Sequence, residues 1–152
     1  MKYVILHNIR SRHNVGSIFR TSDGAGVSKI FLTGYTPAPV DRFGRTVPEI
    51  QKTSLGASET VSWEYCENIE EVLTGLRKDG VKIIAVEQHE RAQSYKDTPS
   101  SPSVAFIFGN EVEGVTDAVC KMADAVVEIP MMGEKESLNV SVAAGIILFD
   151  AV

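Results

Sequence analysis

The chain has 152 residues, 43% of them hydrophobic and 23% charged, a composition that suits one globular domain spanning residues 1–152. No apolar run is long enough to cross a bilayer, so we expect no association with a membrane. The formal net charge of −5 taken alone argues against a nucleic-acid partner.

Apolar runs alternate with amphipathic stretches along the whole chain. In chain order we predict strand 3–6, helix 14–25, strand 29–33, loop 34–45, helix 47–56, strand 61–63, helix 69–78, strand 81–86, loop 88–102, strand 104–108, helix 116–122, strand 125–129 and helix 138–150. Strands this apolar, separated by helices, indicate an α/β fold with a mainly parallel sheet covered by helices on both faces.

Three segments carry residues that suit a functional site, and the first runs from Asn8 to Thr21. Either Asn14 or Ser11 can cap the helix that begins here. Gly16 and Ser17 leave the first turn uncrowded, so free backbone amides could face an anion. Arg20 is either a functional cation or an ordinary surface arginine on an amphipathic helix.

The second segment begins where the apolar strand 104–108 runs into Gly109, Asn110 and Glu111. Glycine at a strand end lets a ligand approach the backbone closely. Glu111 could accept hydrogen bonds from ribose hydroxyls or hold an arginine. The alternative is an ordinary β–α turn whose acidic residues favour the start of the next helix.

The third segment, residues 129–150, changes character at Leu138. Proline, glycine and alternating charges precede this residue, whereas small and apolar residues follow it. Larger apolar residues recur there at helical spacing: Val142, Ile146 and Phe149. Asn139 and Ser141 are polar residues in an apolar stretch, so they need partners, and a ligand is one candidate. The alternative is a turn that leads into a core helix.

Several familiar signatures are absent from the sequence. There is no Gly-x-Gly-x-x-Gly fingerprint, no Gly-Lys-Ser/Thr phosphate loop and no Gly-x-Ser-x-Gly elbow. The three histidines, His7, His13 and His89, are scattered, so we expect no metal site. Cys66 and Cys120 form no Cys-x-x-Cys pair, and we expect free thiols in a reducing, cytoplasmic environment.

Charge is unevenly distributed along the chain. Residues 1–52 hold eight Lys or Arg and three acids, a net +5, so the remainder carries −10. The basic part could present a positive surface to phosphates, or its charges could simply be solvated.

In this order, the three segments resemble the motifs of the SpoU branch of the SPOUT RNA methyltransferases. The matching stretches are Asn14-Val-Gly-Ser-Ile-Phe-Arg-Thr21, Phe108-Gly-Asn-Glu-Val-Glu-Gly114, and Ile129-Pro-Met followed by Ser137-Leu-Asn-Val-Ser141. The likeness spans nearly the whole chain. It implies an α/β sheet with a C-terminal deep trefoil knot, S-adenosylmethionine as cofactor, and a homodimer with its active site at or near the interface.

The resemblance also implies roles for individual residues. Arg20 would grip an RNA phosphate and stabilise the developing alkoxide. Asn139 and Ser141 would orient Arg20 or the ribose, Asn14 would hold the substrate or the second segment, and Glu111 would anchor Arg20 or the loops of the site. The residues expected to contact the cofactor are Phe108, Gly109, Asn110, Ile129, Met131, Ser137, Leu138 and Asn139. Those expected to contact RNA are Arg10, Arg12, His13, Arg42 and Arg45.

The function that the resemblance implies is S-adenosylmethionine-dependent methylation of a ribose 2′-hydroxyl in tRNA or rRNA. Two alternatives stay open at this point. One is a catalytically idle module with the same fold that binds RNA or a nucleotide. The other is a methyltransferase that modifies an RNA base.

Overall fold

A computed structural model describes residues 1–151. Within that range the strands are β1 (Lys2–His7), β2 (Lys29–Thr33), β3 (Trp63–Cys66), β4 (Lys82–Val86), β5 (Gln93–Ser94), β6 (Val104–Phe108) and β7 (Ala125–Glu128). The helices are α1 (Arg12–Gly24), α2 (Pro48–Ser54), α3 (Ala57–Thr60), α4 (Ile69–Lys78), α5 (Asp117–Met122) and α6 (Val140–Asp150), and a 3₁₀ turn covers Tyr95–Asp97.

The strands form one sheet in the order β3-β2-β1-β6-β4-β7-β5, and every pairing is parallel. At its centre Ile5 of β1 lies between Phe31 of β2 and Ile107 of β6. The predicted parallel α/β architecture is therefore confirmed.

Two hydrophobic cores lie on opposite faces of the sheet, because successive strand residues point to opposite sides. On one face Leu6 and Phe106 pack with the buried sides of α1, α2 and α6. On the other, Ile5 and Ile107 pack with α4 and α5. Helices therefore cover both faces, which explains why the central strands read as continuous apolar runs.

Local predictions failed at three places. The predicted helix 47–56 breaks into α2 and α3, because Leu55 and Gly56 adopt left-handed backbone conformations with φ of 49° and 90°. The predicted strand 61–63 begins instead at Trp63, since the Val61 amide donates to the Ala57 carbonyl and closes α3. The predicted loop 88–102 contributes the short edge strand β5, whose two polar residues carry no apolar signal.

The strand order determines where a site can form. From β1 the chain turns toward β2 on one side, whereas from the adjacent β6 it passes over β4 to β7 on the other side. Ligands of open α/β sheets bind in the crevice beyond the carboxyl ends of such strands. The loops after β1, β4, β6 and β7 meet there. The trefoil knot stays a prediction.

Across residues 1–151, no helix is both long and apolar enough to cross a membrane. The same part of the chain holds no cluster of three His, Cys, Asp or Glu side chains placed to bind a metal ion. Cys66 and Cys120 are both free thiols, the first half-buried and the second buried.

Candidate functional site

A cavity of about 340 Å³ opens at the carboxyl ends of β4, β6 and β7. This size lies within the usual range for small-molecule sites. All eight residues predicted to contact a cofactor line the cavity: Phe108, Gly109, Asn110, Ile129, Met131, Ser137, Leu138 and Asn139. The structure therefore brings the second and third segments together in one pocket.

The pocket has a third wall that the sequence analysis missed. Val86, Glu87 and Gln88 follow β4 and line the cavity. The Glu87 carboxylate accepts hydrogen bonds from the backbone amides of Val115 (2.7 Å) and Gln88 (2.8 Å). It thereby ties the loop after β4 to the loop after β6. The available signal was a polar residue at the end of a buried strand, the same signal that identified Glu111.

The loop after β6 folds back on itself beside the pocket. A Cβ atom on Gly109 would overlap the carbonyl group of Gly114, so glycine is needed for contact between two backbone segments as well as for access to a ligand. Asn110 is buried and its side-chain oxygen accepts the amides of Val112 (2.8 Å) and Glu113 (2.9 Å). The loop is therefore held in shape by its own residues.

Glu111 joins this loop to the start of α1. Its carboxylate accepts the backbone amides of Arg10 and Ser11, each at 3.1 Å, and the side-chain amide of Asn14 at 3.5 Å. Burial raises the pKa of the Glu111 carboxyl, but hydrogen bonds from the backbone amides of Arg10, Ser11 and Glu111 itself and from the Asn14 side chain together lower it more, so its pKa lies below the ordinary value. Glu111 thus anchors the loops of the site, whereas Arg20 is not among its partners.

The network continues from Asn14 into the third segment. The Asn139 side-chain amide lies 3.4 Å from the Asn14 side-chain oxygen. Asn139 caps α6, and its own side-chain oxygen accepts the Ser141 amide (2.8 Å) and hydroxyl (2.6 Å). Polar side chains from all three segments, Glu111, Asn14, Asn139 and Ser141, therefore form one connected chain at the edge of the pocket.

Helix α1 begins at Arg12, two residues before the predicted start, and one of its two predicted caps is confirmed. Ser11 is the cap, and its hydroxyl accepts the Asn14 amide at 3.1 Å. A Cβ atom on Gly16 would overlap the Thr53 hydroxyl and lie 2.9 Å from the Ile50 carbonyl oxygen. Gly16 therefore permits close packing of α1 on α2. The approach of an anion to the free amides of the first turn stays a prediction.

Arg20 lies apart from the other predicted catalytic residues. It is exposed on α1 and does not line the pocket. Six residues after Asn14, its side chain leaves the helix about 120° around the axis from that residue. The structure therefore assembles four of the five predicted catalytic residues and leaves the fifth outside.

Two of the predicted RNA contacts, Arg10 and Arg12, lie beside the start of α1. Together with Tyr35 and Pro37 they line a shallow concavity. The Arg12 guanidinium is 3.7 Å from the carboxylate of Glu49, an exposed pair of small energetic weight. This cluster is a basic surface close to the pocket.

Arg42 and Arg45 lie in an exposed loop and flank the ring of Phe43. Their guanidinium carbons are 4.8 and 5.0 Å from its centroid. Asp41 stabilises the loop by accepting the amides of Phe43 (2.8 Å) and Arg45 (3.0 Å) and the Arg45 guanidinium (3.1 Å). His13 is exposed in the first turn of α1. All five predicted RNA contacts therefore lie at the surface.

Comparison with known proteins adds evidence of relationship. The model of the SpoU rRNA Methylase family matches residues 1–149. The chain is 32% identical over 148 residues to the tRNA (guanosine(18)-2′-O)-methyltransferase of Thermus thermophilus, and the matched region covers 97% of this chain and 72% of that protein. It is 34% identical over 149 residues to the 23S rRNA (guanosine-2′-O-)-methyltransferase RlmB of Ralstonia nicotianae, covering 98% and 57%.

Solved structures of similar proteins superpose on this fold. The AdoMet-bound rRNA methyltransferase of Sinorhizobium meliloti superposes with a TM-score of 0.89 at 31% identity, covering 99% of this chain and 55% of that one. The TrmH/SpoU tRNA modifying enzyme of A. aeolicus superposes with a TM-score of 0.85 at 27% identity, covering 99% of this chain and 73% of that one. The chain thus spans between about half and three quarters of the length of these proteins.

Proposed function

Because this chain belongs to the SpoU rRNA methylase family, we propose that it transfers a methyl group from S-adenosylmethionine to a ribose 2′-hydroxyl of tRNA or rRNA. The observation that supports this most directly is the side-chain network from Glu111 to Ser141, which joins all three segments at the edge of one pocket. Substrates of this kind imply a cytoplasmic location.

The pocket suits the proposed cofactor in shape and in chemistry. Phe108, Ile129 and Leu138 supply apolar surface for an adenine ring. Glu87 and Glu128 also line the cavity and place negative charge beside a ligand that carries a sulfonium cation. When bound, S-adenosylmethionine supplies an electrophilic methyl group, and the rest of the catalysis falls to the protein.

The residues of the network would position the reacting ribose. Glu111 holds Asn14, and Asn14 meets Asn139, so the polar groups at the pocket edge are fixed before substrate arrives. Asn139 and Ser141 would orient the ribose. Arg20 would bind a nearby RNA phosphate, which accepts the proton of the 2′-hydroxyl, and would stabilise the alkoxide that develops.

Arg20 can serve this role if a second copy of the chain supplies it. A helix that is apolar all round is normally buried on every side. Yet Val142 and Phe149 of α6 are 50% and 60% exposed, and Phe149 packs beside Gly24 at the end of α1. We infer that a homodimer covers α6 and brings Arg20 of one protomer toward the pocket of its partner.

The function is tested by incubating the protein with methyl-labelled S-adenosylmethionine and total RNA from cells that lack it. We expect label in a tRNA or rRNA fraction, resistant to alkaline cleavage because a 2′-O-methyl group removes the attacking hydroxyl. Label in alkali-sensitive linkages would indicate a base methyltransferase and overturn the ribose assignment. Failure to bind S-adenosylmethionine would indicate an idle module.

The shared site is tested by mixing two inactive variants, Arg20→Ala and Asn139→Ala, under conditions that exchange subunits. Half of the randomly assembled dimers carry both changes, and each has one site with an intact Arg20 and an intact Asn139. We therefore expect about a quarter of the wild-type activity to return. No recovery, with subunit exchange verified by mass, would place Arg20 and Asn139 in the same protomer's site.

A further inference from the structure

Tyr35 is an exposed aromatic residue in the loop that follows β2. It is 56% exposed and lies in the concavity with Arg10, Arg12 and Pro37. An exposed aromatic residue among arginines is typical of surfaces that bind unpaired nucleotides, because bases stack on rings while guanidinium groups take the phosphates.

Tyr35 is hydrogen-bonded at both its hydroxyl and its backbone amide in spite of its exposure. The Tyr35 hydroxyl accepts a hydrogen bond from the Asn110 side-chain amide at 2.8 Å, and the Tyr35 backbone amide donates to the Asn8 side-chain oxygen at 3.2 Å. Asn8 adopts a left-handed conformation with φ of 56°, which is uncommon outside glycine. Next to it, the Tyr65 hydroxyl donates to the Gly34 carbonyl at 2.6 Å.

One residue connects this ring to the pocket. Asn110 lines the cavity and also binds the Tyr35 hydroxyl, so the ring lies at the outer side of the pocket wall. The neighbouring Arg10 has no ion pair within residues 1–151, which leaves its guanidinium available for a phosphate. A base stacked here would belong to a nucleotide close to the one that is methylated.

On the basis of the proposed function, we propose that Tyr35 is a base-stacking residue that selects an unpaired nucleotide near the methylation site, with Arg10 and Arg12 binding its flanking phosphates. The nucleotide's base lies on the exposed ring face. The hydrogen bond between the Tyr35 hydroxyl and Asn110 sets the orientation of the ring.

The test compares Tyr35→Leu, which removes the ring, with Tyr35→Phe, which keeps the ring and loses only this hydrogen bond. Tyr65→Leu is the matched control, because it removes an exposed tyrosine that supports the same loop from outside the concavity. Each variant is assayed with bulk tRNA and total rRNA for KM and kcat, for RNA retention in filter binding, for S-adenosylmethionine affinity and for oligomeric state.

For Tyr35→Leu we expect the KM for RNA, or its dissociation constant, to rise by about 5- to 150-fold, the range that stacking of one base supplies. Tyr35→Phe should retain most of the RNA affinity, and S-adenosylmethionine affinity should be unchanged throughout. An unchanged RNA affinity, an equal loss in Tyr65→Leu, or a shift from dimer to monomer would overturn the proposal. If the wild type binds these RNAs without methylating them, filter binding still decides the role of Tyr35, whereas the proposed activity alone has failed.

Discussion

Glu111 offers the sharpest test of how the site is held together, through the pair of substitutions Glu111→Ala and Glu111→Gln. The alanine removes the acceptor for the backbone amides of Arg10 and Ser11. Hydrogen bonds to a charged group contribute about 1.5–3 kcal/mol each when buried, and water partly replaces them at this surface position. We therefore expect Glu111→Ala to lower the free energy of unfolding by about 2 kcal/mol.

Glu111→Gln should lower the free energy of unfolding by less than Glu111→Ala does, for a geometrical reason. Both amides reach the same oxygen, Oε1, so a glutamine carbonyl in that place keeps both hydrogen bonds and loses only the charge. Neutral hydrogen bonds are roughly half as strong as charge-assisted ones, which predicts a loss of about 1 kcal/mol. Glu113→Ala removes the same charge from the same loop and should change stability by less than about 0.5 kcal/mol.

The assay is urea unfolding followed by far-ultraviolet circular dichroism at one fixed protein concentration, so that association does not alter the comparison. At this chain length the losses correspond to about 4–8 °C in Tm for alanine and half of that for glutamine. Wild-type stability in both variants, or a larger loss in glutamine than in alanine, would refute the idea that the carboxylate holds the start of α1.

Three further predictions follow from the same geometry. Arg20→Ala should reduce methyl transfer by at least about 100-fold while leaving the calorimetric affinity for S-adenosylmethionine unchanged, and a large loss of that affinity would contradict its position outside the pocket. Gly16→Ala should lower the free energy of unfolding by about 1–3 kcal/mol because the new Cβ meets Thr53. Gly75→Ala has open space around its Cβ and should raise the free energy of unfolding by up to about 1 kcal/mol. Equal effects of the two substitutions in urea unfolding would contradict the packing role of Gly16. Because folding lowers the pKa of Glu111, the stabilisation by its charge is complete above the ordinary pKa of 4.5 and is lost as pH falls through the lower folded-state pKa. The difference in unfolding free energy between wild type and Glu111→Gln, measured from pH 7 to pH 3, should therefore shrink below about pH 4.5. A constant difference would show that the charge is not involved.

Much of the fold could be predicted from local pattern. Central strands such as β6 are apolar at every position because both faces of the sheet are covered, and that pattern is visible in the sequence itself. Backbone breaks were harder to predict. Leu55 has a left-handed conformation that no residue preference suggests, so one predicted helix became two.

Some of the residues that form the site could be predicted from the sequence. Glu111 and Asn139 follow recognisable changes in chain character, and the structure connects them through Asn14. Glu87 gave the same kind of signal at the end of β4 but belonged to none of the three segments. It was missed because its function depends on a partner, Val115, that lies 28 residues away in sequence.

The sequence by itself determined the α/β class, the order of the elements and most of the residues around the pocket, because each depends on burial and on neighbours a few positions away. The tertiary structure decided which of those residues touch. It showed that Gly16 serves helix packing, that Tyr35 is tethered to the pocket wall, and that Arg20 lies outside the pocket of its own chain. These facts depend on strand order and on the distance between remote segments, and no local pattern of residues encodes either.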